Sequence, residues 1–282
     1  MASPLGPTIG RSDCHTRDLK EPATGRGSFN AIYQYRDLVT NITLRDFRLR
    51  YRNSVLGFLW SLLNPLAMMV VLTAFYSFVF KAGIANFPLF VLPPLLVWRF
   101  FAVSTSMSLD SIAGNSSLVT KVYLPRWLLV LSSNFANLLG SSLEFLALFP
   151  LMVVLGAQLS VLIVLIPVVL LLEFLLILGV SLFLSSLNVY YRDFGQVWDI
   201  FLQAGFFLCP IFYSESILPS NLQLIYSLNP IARLIESTRK ILYLGELPTS
   251  FDVLIVLGAG LLFLLFGSLL FRRLEPKFGE LV

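Results

Sequence analysis

Long apolar segments alternate with short polar segments along most of the chain. Each apolar segment has roughly 20 or more residues, the length at which an α-helix crosses a bilayer. The pattern predicts an all-α integral membrane protein with six transmembrane helices at about 55–80, 88–109, 127–156, 160–187, 194–213 and 251–271.

The segment before the first span predicts an amphipathic helix over residues 30–53. Basic and apolar residues recur on different faces, with Arg45, Arg48 and Arg52 on one and Leu44, Phe47 and Tyr51 on the other. Such a helix lies in the membrane interface, and Gly57 gives the backbone freedom to turn into the bilayer. Residues 1–28 combine Pro, Gly, Ser, Thr and charge without an apolar core, which predicts a disordered tail.

Composition supports a membrane protein, and the distribution of charge predicts its orientation across the membrane. Hydrophobic residues make up 57% of the chain and charged residues 13%, whereas soluble domains average about 25% charged residues. The net charge of +4 is not gathered on a soluble basic face, so nucleic acid binding is not indicated. Most Lys and Arg residues flank the spans on the side of the N-terminus, which predicts that both termini are cytoplasmic.

Two connecting segments contain more than a simple loop needs. The inner segment 110–126 carries Leu118, Val119, Val122 and Tyr123, which suit either a protein-docking surface or a plain connection. The outer segment 214–248 predicts two short helices, because Asn229-Pro230 begins a helix well and Gly245 ends it. Glu236 is expected to pair with Lys240 at i,i+4. A lid over an exit path and a lateral packing element are both open interpretations.

Three ionisable residues fall inside predicted spans, where charge is costly and normally faces protein or water. Arg99 and Glu144 are candidates for an ion pair, because their spans run beside each other in opposite directions. Glu173 has no obvious partner, and we expect it to face a subunit interface or to bend toward water.

Aromatic residues recur within the spans as well as at their ends. Stripes fall in the first and fifth spans: Trp60, Phe75 and Phe78, and Phe194, Trp198, Phe201 and Phe212. Such stripes are usually packing or lipid-facing surface. They also suit a wall for a moving sugar chain, because the apolar faces of pyranose rings pack on aromatic rings.

The chain lacks the motifs of membrane-embedded catalysis. It has no G-x-x-x-x-G-K-[ST] phosphate loop and no G-x-S-x-G elbow. Its single histidine, His15, lies in the tail, and Cys14 and Cys209 are too differently placed to predict a metal site or a disulfide. We therefore expect transport by a chain that is not itself an enzyme.

Several motifs in order along residues 30–275 resemble the membrane subunits of ABC-2 type exporters, in the branch that exports polysaccharides such as O-antigen, capsule and teichoic acid. They are Arg45-Asp46, Arg50-Tyr51, Ser54-Val55-Leu56-Gly57, Trp60, Asn64-Pro65, Leu118 to Arg126, Asn188 to Asp193, Pro210 to Tyr213 and Leu228-Asn229-Pro230. Arg99 departs from the family pattern, in which an uncharged residue is expected after the position of Trp98.

The resemblance implies an ABC-2 transmembrane domain over residues 29–275, followed by a cytoplasmic C-terminus at 276–282. It implies a homodimer in the bacterial cytoplasmic membrane with two copies of a separate ATPase subunit. ATP and Mg²⁺ would bind that partner, and this chain would hold no cofactor or metal. The interfacial helix and the inner loop would contact the ATPase, through Arg45, Arg48, Arg52, Leu118, Val119, Lys121, Tyr123 and Arg126.

The resemblance also implies a channel between the two permeases, and it favours the aromatic stripes as its wall. A lipid-linked glycan would be drawn outward through this channel. Arg45, Arg48 and Arg52 suit either the pyrophosphate of the lipid carrier or ordinary anionic headgroups. An ABC-2 exporter of drugs or lipids is an alternative in the same class, and a non-transporting envelope assembly protein is an alternative from another class.

Overall fold

The computed structural model describes residues 35–51, 57–79, 84–116, 124–157, 160–217 and 219–281, and the described residues from 37 onward belong to one compact unit. Most of these residues are helical, and none of them is in a β-strand. The predicted tail, Arg52 and the loop residues Leu118, Val119, Lys121 and Tyr123 lie outside the described residues.

Ten α-helices follow one another in the described part of the chain. They are α1 (Arg36–Tyr51), α2 (Leu59–Val79), α3 (Phe87–Leu109), α4 (Trp127–Val154), α5 (Ile166–Tyr190), α6 (Phe194–Leu208), α7 (Ser220–Leu228), α8 (Pro230–Arg239), α9 (Ser250–Leu274) and α10 (Phe278–Leu281). A 3₁₀ turn, Val161–Leu165, leads into α5, and a π-helical turn, Lys240–Leu244, continues α8. The all-α fold and the two short helices of the outer segment are confirmed.

Five of the described helices are long and apolar enough to cross a membrane: α2, α3, α4, α5 with its leading turn, and α9. The predicted span 194–213 differs, because α6 has 15 residues and ends at Leu208, a length of about 22 Å against a hydrocarbon core of about 30 Å. Cys209 is extended, as expected for the residue before a proline, and Pro210 has no backbone N–H to continue the helix. The count of six spans therefore stays a prediction.

Helices α5 and α9 run side by side in the same direction and touch through glycines. A methyl group on Gly267 would lie 2.2 Å from the carbonyl oxygen of Gly179, and one on Gly179 would lie 2.4 Å from the backbone nitrogen of Leu264. Only glycine allows two backbones to meet so closely, which is how helices associate where lipid gives no hydrophobic drive between them.

Polar side chains join the other helices inside the bundle. The side-chain oxygen of Asn134 in α4 accepts hydrogen bonds from Ser108 in α3 at 3.1 Å and from Ser181 in α5 at 3.3 Å. Asn188 in α5 donates to the backbone oxygen of Leu109 at 3.0 Å. In a bilayer core, polar groups need partners within the protein, so these bonds fix the depth at which α3, α4 and α5 meet.

Helix α1 packs against the end of the bundle that is predicted to face the cytoplasm. Val39, Ile42 and Thr43 are buried, and the Thr43 hydroxyl donates to the backbone oxygen of Ser132 at 3.3 Å. Leu44, which the sequence analysis places on the apolar face of the helix, is exposed. Ile42 packs in a small inner cluster with residues of α4, α5, α9 and α10: Leu129, Val130, Leu182, Val189, Phe271 and Phe278.

The close contact of α5 and α9 predicts a strong position dependence for Gly→Ala substitutions in α9. We expect Gly267→Ala to destabilise the protein by about 1–3 kcal/mol through overpacking, lowering the midpoint of thermal unfolding in detergent. Gly258→Ala is the matched control, since nothing lies within 4 Å of its added methyl group. It should be neutral or stabilising by up to about 1 kcal/mol, and equal midpoints for the two variants would contradict the packing argument.

Candidate functional site

A groove of about 830 Å³ lies where the end of α1 meets α2 and α3. Its wall mixes one aromatic ring and several apolar side chains with polar groups, among them Arg50, Trp60, Ser61, Asn64, Met68 and Arg99. Arg50 and Arg99 are the only charged residues in the described lining. The volume is in the range of sites that take a small molecule, about 300–1,000 Å³.

Arg99 forms the ion pair with Glu144 that the sequence predicts. The guanidinium Nε lies 3.3 Å from Glu144 Oε1. The two partners are unequally exposed, with 24% of the Arg99 side chain accessible against 6% for Glu144. The Glu144 side chain is therefore almost enclosed by protein, whereas the Arg99 side chain is partly exposed and lines the groove.

Arg50 is a groove residue that the sequence analysis names only as part of a family motif and assigns to no site. Its guanidinium donates to the side-chain oxygen of Asn137 and contacts the sulfur of Met107. At 3.6 residues per turn, Arg50 lies about 160° around α1 from Arg48, so it belongs to the face that meets the bundle. Helical periodicity separates Arg50 from Arg48 but does not say which of the two faces meets the bundle.

The predicted aromatic wall divides into exposed and packed residues. Trp60, Phe75, Phe78 and Phe201 each expose more than half of their surface. Phe194, Trp198 and Phe212 are half-buried against the core. Trp198 donates from its indole nitrogen to Thr105 at 3.1 Å and stacks on Phe201 at 5.0 Å between ring centroids. An aromatic surface is thus available on α2 and on part of α6.

The described residues among the predicted ATPase contacts have different surroundings. Arg45 donates to Asn115 at 3.0 Å and pairs with Asp46 at 2.8 Å. Arg48 is exposed on α1. The backbone N–H of Arg126 donates to Glu275 at 3.1 Å, and its guanidinium donates to the backbone oxygen of the same residue. Arg45 and Arg126 thus join α1 to the inner loop and α4 to the C-terminal segment.

Buried charges hold α8 at the predicted outer end. Arg239 pairs with Glu236 at 3.0 Å and donates to the backbone oxygens of Pro210 at 2.6 Å and Ile211 at 3.2 Å. Its guanidinium carbon lies 3.9 Å from the centroid of the Phe90 ring, a cation–π contact. Burial lowers the pKa of Arg239, an effect that the Glu236 carboxylate opposes. The bend that ends α6 is therefore fastened to α8.

A second group of charges fastens α8 to the start of α9. Asp252 accepts from Arg233 at 3.1 Å and from Lys240 at 2.8 Å. Arg233 also pairs with Glu215, in the 3₁₀ turn after the bend. The predicted pairing of Glu236 with Lys240 is wrong, because Glu236 pairs with Arg239 and Lys240 reaches across to α9. Lys240 thus pairs with Asp252, which is distant in sequence, and not with Glu236 one turn before it.

Glu173 lies in the interior of the protein. Its side chain is fully buried, and neither carboxyl oxygen has a hydrogen-bond partner among the described residues. The prediction that Glu173 faces a subunit interface or water is therefore wrong. Sequence hydropathy alone does not distinguish a helix face turned to protein from one turned to lipid or a second subunit.

Five candidate spans define a multi-pass, all-helical membrane protein, and two of them, α2 and α3, line a polar, partly aromatic groove. The chain belongs to the ABC-2 type transporter family, whose model matches residues 38–243. The family-level resemblance seen in the sequence is thereby confirmed.

Relatives cover between three quarters and nine tenths of the chain. The O-antigen export system permease protein RfbA of Myxococcus xanthus is 32% identical over 88% of this chain and 96% of its own length. A protein of the same name from Klebsiella pneumoniae is 29% identical over 90% of this chain and 98% of its own length. The capsule polysaccharide export inner-membrane protein CtrC of Neisseria meningitidis is 25% identical over 75% of this chain and 80% of its own length.

The surroundings of Arg239 predict that it is essential for stability at the outer end. Arg239→Met would leave Glu236 and two backbone oxygens without their donor, a loss of about 3–5 kcal/mol for a broken buried pair. We expect a clearly lower midpoint of thermal unfolding in detergent. Arg273→Met is the control, because Arg273 is exposed and should change stability by less than about 0.5 kcal/mol. A normal midpoint for Arg239→Met would contradict the assignment.

Proposed function

We propose that this chain is the permease subunit of an ATP-driven exporter that moves a lipid-linked polysaccharide across the bacterial cytoplasmic membrane. The observation that carries the proposal is full-length similarity to permeases named for O-antigen export, at 96–98% of their length. Similarity to a capsule export protein supports a glycan substrate over drugs or lipids. Both termini are cytoplasmic in this proposal, as the distribution of Lys and Arg indicates.

The energy source is a separate ATPase, and the working unit is a homodimer of the permease with two ATPase subunits. The sequence supports a separate ATPase because it contains no phosphate loop. The ATPase contacts the exposed face of α1 and the loop 110–126. Closure of the ATPase dimer on ATP pushes these elements, and because α1 is bonded to α4 through Thr43 and Ser132, the push reaches the spanning helices.

The glycan passes along the exposed aromatic rings of α2 and α6. Trp60, Phe75, Phe78 and Phe201 offer flat apolar surface to the faces of sugar rings. Such contacts are non-directional, so successive sugars are held without being trapped. The half-buried rings Phe194, Trp198 and Phe212 support this wall from behind. Arg45, Arg48 and Arg52 attract either the lipid pyrophosphate or anionic headgroups at the entrance.

Gene deletion tests the substrate class directly. Cells without this chain should accumulate a lipid-linked saccharide on the cytoplasmic side and lose the corresponding polysaccharide from the surface, with both restored by the wild-type gene. The accumulated species would be identified by mass spectrometry of extracted lipids. Unchanged surface polysaccharide together with accumulation of a drug or of another lipid would overturn the proposal.

The proposed ATPase contact predicts an effect of charge reversal on α1. We expect Arg48→Glu to weaken assembly by about 1–2 kcal/mol, roughly tenfold in affinity, since Arg48 is exposed there. Less ATPase should therefore copurify with the permease at unchanged permease yield. Glu246→Arg is the control, a charge reversal at an exposed position of the predicted outer end. Equal ATPase recovery from the two variants would remove Arg48 from the contact.

A further inference from the structure

We propose that the groove between α1, α2 and α3 binds an oxyanion of the transported molecule, with Arg99 as its principal ligand and Arg50 as a second cation nearer the predicted inner end. The inference rests on the proposed function for the identity of the transported molecule. It adds a site within the membrane at which that molecule's negative charge is held. The oxyanion is a phosphate of the lipid carrier or a carboxylate of an acidic sugar.

Arg99 lies near the middle of the membrane-spanning part of α3. It is 12 residues from Phe87 and 10 residues from Leu109, the ends of the helix, or about 18 Å and 15 Å along the axis. A cation at this depth is costly unless it meets protein, water or an anion. Arg99 therefore needs a specific partner at this depth, unlike a charged residue on a surface that water covers.

The ion pair with Glu144 occupies only part of the Arg99 guanidinium. Nε donates to the carboxylate, and the two terminal nitrogens donate to no group among the described residues. Arg99 is about a quarter exposed, whereas Glu144 is almost enclosed. A guanidinium presents a planar fork that matches phosphate and carboxylate oxygens, and the partly exposed Arg99 side chain lines the groove.

The charge in the groove is positive. The charged residues in its described lining are Arg50 and Arg99, and both are cations. Glu144, whose side chain is almost enclosed, offsets part of this positive charge. Asn64 also lies in the lining and brings a neutral side-chain amide with hydrogen-bond donors and an acceptor. A pair that served only to hold α3 against α4 would not require a second cation or a cavity in front of it.

Arg50 and Arg99 lie at different depths along one path. Arg50 contacts Met107, which is eight residues from Arg99 on α3, or about 12 Å along the helix axis. An oxyanion that enters at the inner end therefore meets Arg50 first and Arg99 further into the membrane. Trp60 lies in the same wall, so a sugar ring can pack there while the anionic group is held.

A binding experiment on the wild-type complex tests the site without any substitution. The complete transporter in lipid nanodiscs would be titrated with a short-chain polyprenyl pyrophosphate and with the polyprenyl alcohol of equal length. In a second arm it would be titrated with a glycuronic acid oligosaccharide and with its neutral counterpart. We expect at least tenfold tighter binding of the anionic member in one arm, and that arm identifies the source of the oxyanion. No preference in either arm overturns the proposal.

Paired substitutions then locate the binding. Arg99→Gln combined with Glu144→Gln removes both charges with little change in volume, and it should abolish the tenfold preference for the anionic probe while the neutral probe binds as before. Exchange of the two residues, Arg99→Glu with Glu144→Arg, keeps an ion pair but places a carboxylate in the groove, and it should weaken anionic binding further. Glu246→Gln is the control. An unchanged preference in both double variants overturns the assignment of Arg99.

Folding and the proposed function are checked separately. If the double variants fail to fold, Arg50→Gln, at the edge of the groove, should still reduce the preference severalfold, and wild-type preference in that variant would then count against the site. Failure of the proposed function would appear in the deletion strain as normal surface polysaccharide. Failure of the oxyanion site alone would give a different result. Deletion of the gene would still abolish export, but the wild-type transporter would bind the anionic and the neutral probes equally well.

Discussion

The backbone contact between α5 and α9 is the constraint on which both ends of the protein depend. Gly179 and Gly267 bring the two helices together so closely that their depth relative to each other is fixed. Near its first turn, α9 presents Asp252 to Arg233 and Lys240 of the outer helix. Phe271 in its last turn and Phe278 just beyond it pack beneath α1, and Glu275 binds Arg126. A shift of α9 would therefore disturb both ends at once.

Charges within the protein divide into those that are enclosed by partners and those that are left partly open. At the outer end, the guanidinium of Arg239 is surrounded by a carboxylate, two backbone oxygens and an aromatic face. The Arg99 guanidinium has one carboxylate and a groove. The cost of a charge in apolar surroundings is offset only by its partners. The partners of Arg239 are sufficient for a purely structural role. Arg99 has fewer partners, so its guanidinium can still bind a ligand.

The sequence predicted much of the fold because the signals were local. The Asn229-Pro230 helix start appears in the structure as an N-cap in which the Asn229 side chain accepts from two backbone N–H groups, and Gly245 ends the segment in the left-handed conformation. The Arg99–Glu144 pair followed from the antiparallel course of adjacent spans. The partner of Lys240, the orientation of Arg50 and the burial of Glu173 depend on helices distant in sequence, and periodicity does not specify them.

Helix α3 explains why Arg99 points into the groove and away from lipid. It is the most enclosed of the candidate spans, because 78% of its most apolar 18-residue stretch is buried inside the protein. Its residues meet neighbours on several sides, with Phe90 under Arg239, Trp98 against Gly205 of α6, and Thr105 bonded to Trp198. A side chain on such a helix has little lipid to face. The Arg99 side chain therefore meets two surroundings, Glu144 in α4 and the open groove. It pairs with the first and lines the second.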